Sequence, residues 1–390
     1  MSTKLERRAV ARHERKVTAD MTVSSHKVGV LRYAPAVQWE GAHAEQTAVF
    51  VVLADAYGAR GASVTWADSR SSKGLALTIA AWLDEFSSRL DPDQHPEGAA
   101  PLINRMRRLG TSFLAVAAID NALWDLRGQR AGKSVHALLG SHHQSLPAQG
   151  ASRRELGLAS AESIAELMHD AKAEGLLAFK LHLWGDPARD MAGVRALRTA
   201  MGPDYGLVLD PMGRYRLEDA VTVGRCLTEL GFLWFEDPIS AEDHASYPAL
   251  TSRIAIPLAG ADALLWSWND YAAAIARNAP QILRLDPGRH GISFCHSLAQ
   301  LAEAKGLRAE FHSFGPEPSS IAALHCAVAQ KATSYYEVCH PQADFAVPGI
   351  RTPSTLSKAG SVSAPSGHGL GLEIDWAALE KRAEWIIAVN

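Results

Sequence analysis

Cysteine is scarce and scattered: Cys226, Cys295, Cys326 and Cys339 are the only four in 390 residues. No two of them form a Cys-x-x-Cys pair, so a zinc ribbon and a dithiol redox site are excluded, and the four read as small buried hydrophobes. An excess of either charge is also missing. The formal net charge is −3, which supplies no basic field for nucleic acid. No Gly-x-Gly-x-x-Gly follows a strand-like run and no Walker sequence is present, so nucleotide binding has no support. No apolar stretch approaches a membrane span, and the first residues alternate charges (Lys4, Glu6, Arg7, Arg8) where a signal peptide needs an apolar run. These absences leave the expectation of a cytoplasmic protein, a homo-oligomer, with small molecules as partners and neither nucleic acid nor membrane among them.

What is present is a rhythm. Three short apolar runs each end on a carboxylate: Gly206-Leu-Val-Leu-Asp210, Phe232-Leu-Trp-Phe-Glu236 and Pro257-Leu-Ala-Gly-Ala-Asp262, at an even interval of 26 residues. That interval suits one strand plus one returning helix. Carboxylates on the last residues of three successive parallel strands come together at the strands' C-terminal ends, which in a barrel is the active-site face. Each acid taken alone reads as a cap for the helix that follows. Three in register read as hard oxygen ligands, and a set without Cys or His suits Mg²⁺ better than zinc.

Ahead of this region, Ala48-Val-Phe-Val-Val-Leu53, a turn at Gly58 to Gly61, and Ala62-Ser-Val-Thr-Trp66 predict a hairpin. Apolar residues at helical spacing predict helices over 74–89 and 110–128 that cover this small sheet. From Leu146 to Cys339 eight strand candidates follow: 146–152, 178–183, 206–211, 232–238, 257–262, 281–287, 307–313 and 335–339. Amphipathic stretches such as 161–174, 217–230 and 294–305 lie between them, with Gly175, Gly231 and Gly306 placed to stop the helices. Regular alternation of strand and helix implies a parallel sheet, and eight strands imply closure. A Gly, Ser and Pro-rich segment over 352–371 leads to a last helix predicted over 376–388.

Further strand ends carry titratable groups. Lys180 and His182, two apart on one strand, share a face and point into the barrel mouth. Asp286 and His312 end adjacent strands, where a carboxylate can fix the imidazole tautomer and stabilise the imidazolium. Glu337 ends the last strand, and burial among other acids is expected to raise its pKa so that it donates a hydrogen bond. A strand histidine such as His312 can also be a satisfied core residue, and Lys180 can serve as a structural ion-pair partner as readily as a proton carrier. A divalent cation between a Lys/His group and an Asp–His pair suits removal of a proton beside a carboxylate, because the cation neutralises the charge that develops.

Three stretches carry a family resemblance: Ala118-Ile-Asp-Asn-Ala-Leu-Trp-Asp-Leu-Arg-Gly128 with Ala137-Leu-Leu-Gly140, Trp234-Phe-Glu-Asp-Pro238, and Gly369-Leu-Gly-Leu-Glu-Ile-Asp375. In these the chain resembles the enolase superfamily, in its mandelate racemase and muconate lactonizing enzyme-like branch, over nearly its whole length. The resemblance implies an α/β fold: a modified TIM barrel, (β/α)₇β, over 146–351, under an N-terminal α+β capping domain over 1–140 that the segment 352–390 completes. It implies Asp210, Glu236 and Asp262 as ligands of Mg²⁺, His312 with Asp286 as a base dyad, and Glu337 as an electrophilic acid.

The chain departs from the branch in three places. Lys180-Leu-His182 stands where Lys-x-Lys is usual, which argues against two-base racemisation. Asp210-Pro-Met212 has Met where Asn is usual, and Asp262 replaces a commoner Glu. The resulting expectation is a lyase of carbohydrate catabolism: Mg²⁺-dependent dehydration of an aldonate or aldarate to a 2-keto-3-deoxy acid through an enediolate. The alternatives are a racemase or epimerase of a hydroxy acid or amino-acid derivative, and a catalytically silent relative. Specificity is expected from the early loop 17–39, with His26, Arg32 and Trp39 as candidates, and from the hairpin around Tyr57 to Arg60.

Overall fold

The computed structural model describes residues 22–33, 46–151, 160–240, 243, 246–260, 267–277, 279–313, 317–341 and 346–389. Its centre is a closed parallel barrel of β4 (Leu146–Ala151), β5 (Ala178–Leu181), β6 (Gly206–Leu209), β7 (Trp234–Glu236), β8 (Leu258–Gly260), β9 (Ile282–Leu285), β10 (Arg308–Phe311) and β11 (Tyr336–Cys339). Each strand falls inside one of the eight ranges read from the sequence. β11 returns to β4 in parallel, with Glu337 opposite Gln149, and this pairing closes the ring.

Ahead of the barrel lie β1 (Val23–Tyr33), β2 (Gln46–Asp55) and β3 (Arg60–Trp66), with α1 (Ser72–Phe86), α2 (Ala100–Arg108), α3 (Phe113–Ala131) and α4 (Val135–Leu139). The barrel strands are joined by α5 (Ala161–Ala173), α6 (Pro187–Met201), α7 (Leu217–Glu229), α8 (Tyr247–Thr251), α9 (Trp268–Arg277), α10 (Pro287–His290) with α11 (Ile292–Ala304), and α12 (Glu317–Val328). Ser160 and Asp186 cap α5 and α6 by accepting from Ser163 N and Arg189 N. Gly175, Gly231 and Gly306 take positive φ just past α5, α7 and α11, where a left-handed residue ends a helix without steric cost.

Period-two alternation sorts the strand side chains. Leu207, Leu209, Phe235, Leu258, Leu283 and Leu285 belong to the core shared with the outer helices. Val208, Trp234, Ala259 and Ile282 form a separate buried cluster that fills the barrel interior. Asp210, Glu236, Arg284 and Asp286 follow these inner residues at even offsets, so they also face inward, above the plug. In this way the strand pattern itself places the polar residues at the mouth.

The capping domain covers a four-stranded sheet with helices, and the long α3 contributes buried side chains from Ala115 through Gly128. At Gly61 a Cβ would lie 2.3 Å from Leu126 N, so β3 and α3 approach as closely as they do only because that residue is glycine. All four cysteines are free and buried. Among the described residues no helix is long and apolar enough to cross a membrane.

Two expectations are corrected. The last helix covers only Trp376–Arg382, and Glu384–Val389 is a strand antiparallel to β1, with Val28 opposite Ile387. Glu384-Trp-Ile-Ile-Ala-Val389 is aromatic and β-branched, and β1 offers it an unpaired edge. The early segment is not a loop throughout, since Val23–Tyr33 forms β1, inside the sheet between β2 and the C-terminal strand.

Candidate functional site

The inward-facing polar residues meet at the C-terminal mouth of the barrel. Lys180 on β5 is 2% exposed, and its Nζ lies 2.9 Å from Glu236 Oε1, 3.2 Å from Glu337 Oε1 and 3.8 Å from Asp210 Oδ2. His182 Nε2 lies 3.4 Å from the same Asp210 oxygen. Glu236 accepts two further bonds: Oε1 from Arg284 Nε at 3.1 Å, and Oε2 from Trp234 Nε1 at 3.0 Å. Asp210 Oδ1 accepts from Met212 N at 2.8 Å, across a turn in which Met212 takes φ 55°.

On the neighbouring arc, His312 Nδ1 meets Asp286 Oδ2 at 3.0 Å. The aspartate is oriented in turn by two backbone donors, Gly288 N at 2.8 Å and Arg289 N at 3.2 Å, as the N-cap of α10. Arg289 Nε stands 3.2 Å from Oδ2. Asp286 is therefore held in a fixed orientation against Nδ1, and Nε2 lies on the opposite side of the ring, the position of a general acid or base.

The sequence reading brought Lys180, His182, Asp210, Glu236, Asp286, His312 and Glu337 to one place, and the structure gathers them there. Asp262 lies outside the described residues, as does Trp39. Arg284 was missed. It is fully buried and bridges Glu236 and Glu337, a position that its spacing of two from Asp286 could have signalled.

Arg284 also overturns the expectation for Glu337. Desolvation does push that carboxyl upward, but the neighbouring cations Lys180 and Arg284, with His312, outweigh it and hold Glu337 down at about 2. Glu337 is a carboxylate at neutral pH, surrounded by cations where acids were expected. Burial alone would strip the Lys180 proton, yet Glu236 and Glu337 hold it as an ammonium. Asp210 is likewise kept ionised against its burial by His182, Lys180 and the Met212 amide.

Two of the specificity candidates lie on β1. His26 is buried on β1, with Nε2 3.1 Å from Asp84 Oδ1 of α1, so its partner belongs to the capping domain. Arg32 is exposed on β1, and its charge acts on Glu384 of the C-terminal strand. The turn from Tyr57 to Arg60 is shaped by Asp55 Oδ1, which accepts from Tyr57 N and Ala59 N.

Among the described residues no group of three or more His, Cys, Asp or Glu could hold a metal ion. The Lys180 ammonium shows what the described part of the mouth favours. Carboxylates from β6 and β7 converge on one positive centre, and their donors are hard anionic oxygens, a set that fits a divalent cation of the Mg²⁺ type.

Comparison with known proteins agrees with this architecture. Residues 163–378 match the enolase C-terminal domain-like family, and residues 21–140 match the mandelate racemase / muconate lactonizing enzyme N-terminal domain. The chain is 30% identical over 324 residues to D-galactarolactone cycloisomerase of Agrobacterium fabrum, covering 78% of this chain and 85% of that protein. It is 28% identical to D-galactonate dehydratase of Variovorax paradoxus, covering 78% and 84%. The fold matches a racemase from Streptomyces coelicolor, solved with bound magnesium, at a TM-score of 0.81 and 22% identity, covering 93% and 99%. With both domain families matched along it and a closed barrel of eight parallel strands accompanied by an antiparallel-sheet domain, the chain belongs to the enolase superfamily, in its mandelate racemase and muconate lactonizing enzyme branch.

Proposed function

We propose that the protein is an acid-sugar dehydratase that converts an aldonate or aldarate to a 2-keto-3-deoxy acid. The observation that carries this reading is the asymmetry of the mouth. One side has a complete acid–base unit, His312 oriented by Asp286 at 3.0 Å. The other has Lys180, held as an ammonium by Glu236 and Glu337, and His182 turned onto Asp210. A single furnished side suits an elimination in which one residue removes a proton and returns it.

Asp210, Glu236 and Asp262 are the residues that would hold Mg²⁺. Bound there, the cation would grip the substrate carboxylate and neutralise the charge that develops as the α proton leaves. His312 takes the C2 proton, and the electron pair of the broken C–H bond forms the enediolate. Asp286 stabilises the imidazolium that results. The Lys180 ammonium adds fixed positive charge at the mouth. His312 then returns its proton to the departing C3 hydroxyl, which leaves as water, and the enol tautomerises to the keto acid. Relatives that act on acid sugars support the substrate class.

A second reading rests on His182, whose ring also faces the mouth and could work opposite His312 as the second base of a racemase or epimerase. The test is a screen of the purified protein with Mg²⁺ against aldonic and aldaric acids, with semicarbazide detection of keto acid, alongside His312→Asn. Dehydration predicts turnover that falls by about 10²–10⁴-fold or more in the variant. Solvent deuterium at C2 without keto acid would move the assignment to racemisation, and neither signal would mark a silent site.

A further inference from the structure

We propose that Asn121, supported by Asp120, positions the Asp286–His312 dyad from the capping domain. The assignment deepens the reading of His312 as the acid–base residue and rests on it. α11 begins at Gly291, which has no side chain to cap it, so the first N–H donors of that helix need outside acceptors. Both acceptors come from α3. Asn121 Oδ1 accepts from Ile292 N at 3.0 Å and Asp120 Oδ2 accepts from Ser293 N at 2.9 Å. Asp120 Oδ1 also accepts from Ser293 Oγ at 2.6 Å, and a Cβ on Gly291 would stand 2.7 Å from Asp120 Oδ2.

The other end of the Asn121 amide reaches the dyad's own turn. Asn121 Nδ2 donates to Pro287 O at 2.9 Å, and Pro287 is the residue that follows Asp286. One side chain thus pins residue 287, the first of the short helix that Asp286 caps, and residue 292, the first of the helix that follows it. Asp286 is tied to that helix by Gly288 N and Arg289 N, so a shift of the turn carries Oδ2 with it, and Oδ2 is the atom that meets His312 Nδ1. Asn121 is 4% and Asp120 2% exposed, so water cannot easily stand in for either. Among the described residues Asn121 bonds to Pro287 and Ile292, and Asp120 to Ser293 and His95, so both act through other groups, as positioning residues.

The substitutions that test this are Asn121→Leu, which removes both bonds at similar volume, and Asn121→Asp, which keeps the acceptor for Ile292 and loses the donor to Pro287. Asp286 and Glu337, which act on His312, are untouched in either, as are Arg289 on Asp286 and Lys180 and Arg284 on Glu337. A displacement near 1 Å at a reacting group costs about 10²-fold in rate. The expected result is a kcat reduced by roughly 10–100-fold with KM changed less than about 3-fold. In ¹⁵N-histidine-labelled protein, the His312 imidazole resonances should move in both variants. That second readout needs no substrate, so it decides the proposal even if the acid-sugar screen fails. Folded variants with unchanged His312 resonances, or with wild-type kcat on an identified substrate, would overturn it.

Discussion

Arg284 shows how much one side chain can alter the reading of a site. Between Leu283 and Leu285 it looks like a flaw in an apolar strand, and only its even spacing from Asp286 betrays that it points inward. Lys180 and His182 were legible because the same spacing was read on β5. Glu337 was placed correctly, but its protonation was not, because the charge of neighbouring strands does not appear in a local window. Removing one partner from a buried ion pair costs about 3–5 kcal/mol. Arg284→Met should therefore lower the unfolding free energy by that amount in urea melts at pH 7, and a loss under 1 kcal/mol would show that the pairing contributes little. Met212 carries strain of another kind, with φ 55° on a residue with a Cβ. Asn tolerates that conformation better, so Met212→Asn should stabilise the fold by about 1 kcal/mol in the same melts.

Elements were most legible where periodicity and punctuation agreed. The barrel strands carried their own carboxylate endings, and the helices stopped at glycines. The C-terminal element was misread because Trp376 to Ala388 has apolar residues compatible with a helix, and what makes Glu384–Val389 a strand is a distant edge. Helix packing yields a pH prediction. His325 on α12 is fully buried, with Nδ1 3.0 Å from His136 Nδ1 of α4 and Nε2 3.1 Å from Leu370 O. Burial lowers its pKa to about 3, with His136 adding to the shift and the Leu370 carbonyl opposing it. The unfolded chain takes up this proton near pH 6.5 and the folded chain does not, so the unfolded state binds more protons between about 6.5 and about 3. The stability that the neutral ring contributes is complete above about 6.5 and is lost as pH falls. Denaturation series from pH 7 to 5 should show a slope approaching about 1.4 kcal/mol per pH unit from this site. In His325→Leu that contribution should vanish, and an unaltered slope would count against it.

At the scale of the whole molecule, the two larger sheets of the described residues share one chain, and the cap sheet draws its strands from both sides of the barrel in sequence. The barrel was readable because its contacts join neighbours along the chain, whereas the cap sheet's last pairing joins residues that no local pattern connects. Deleting residues 384–390 should leave β1 as a bare edge. At about 1 kcal/mol for each ladder hydrogen bond, the loss should be several kcal/mol, with light scattering that rises with protein concentration. A truncated chain with an unchanged melting temperature would show that the strand is dispensable.

The pairing of Val28 with Ile387 also sets an order of events. Every residue of the barrel lies inside the loop that this contact closes, and contacts between remote segments form slowly because the chain entropy must be lost before they return anything. β1 is therefore expected to stay half paired while the barrel assembles between its two partners. Completion of the cap sheet is thereby expected to be a late event, favoured once the barrel's own contacts have shortened the loop that it closes.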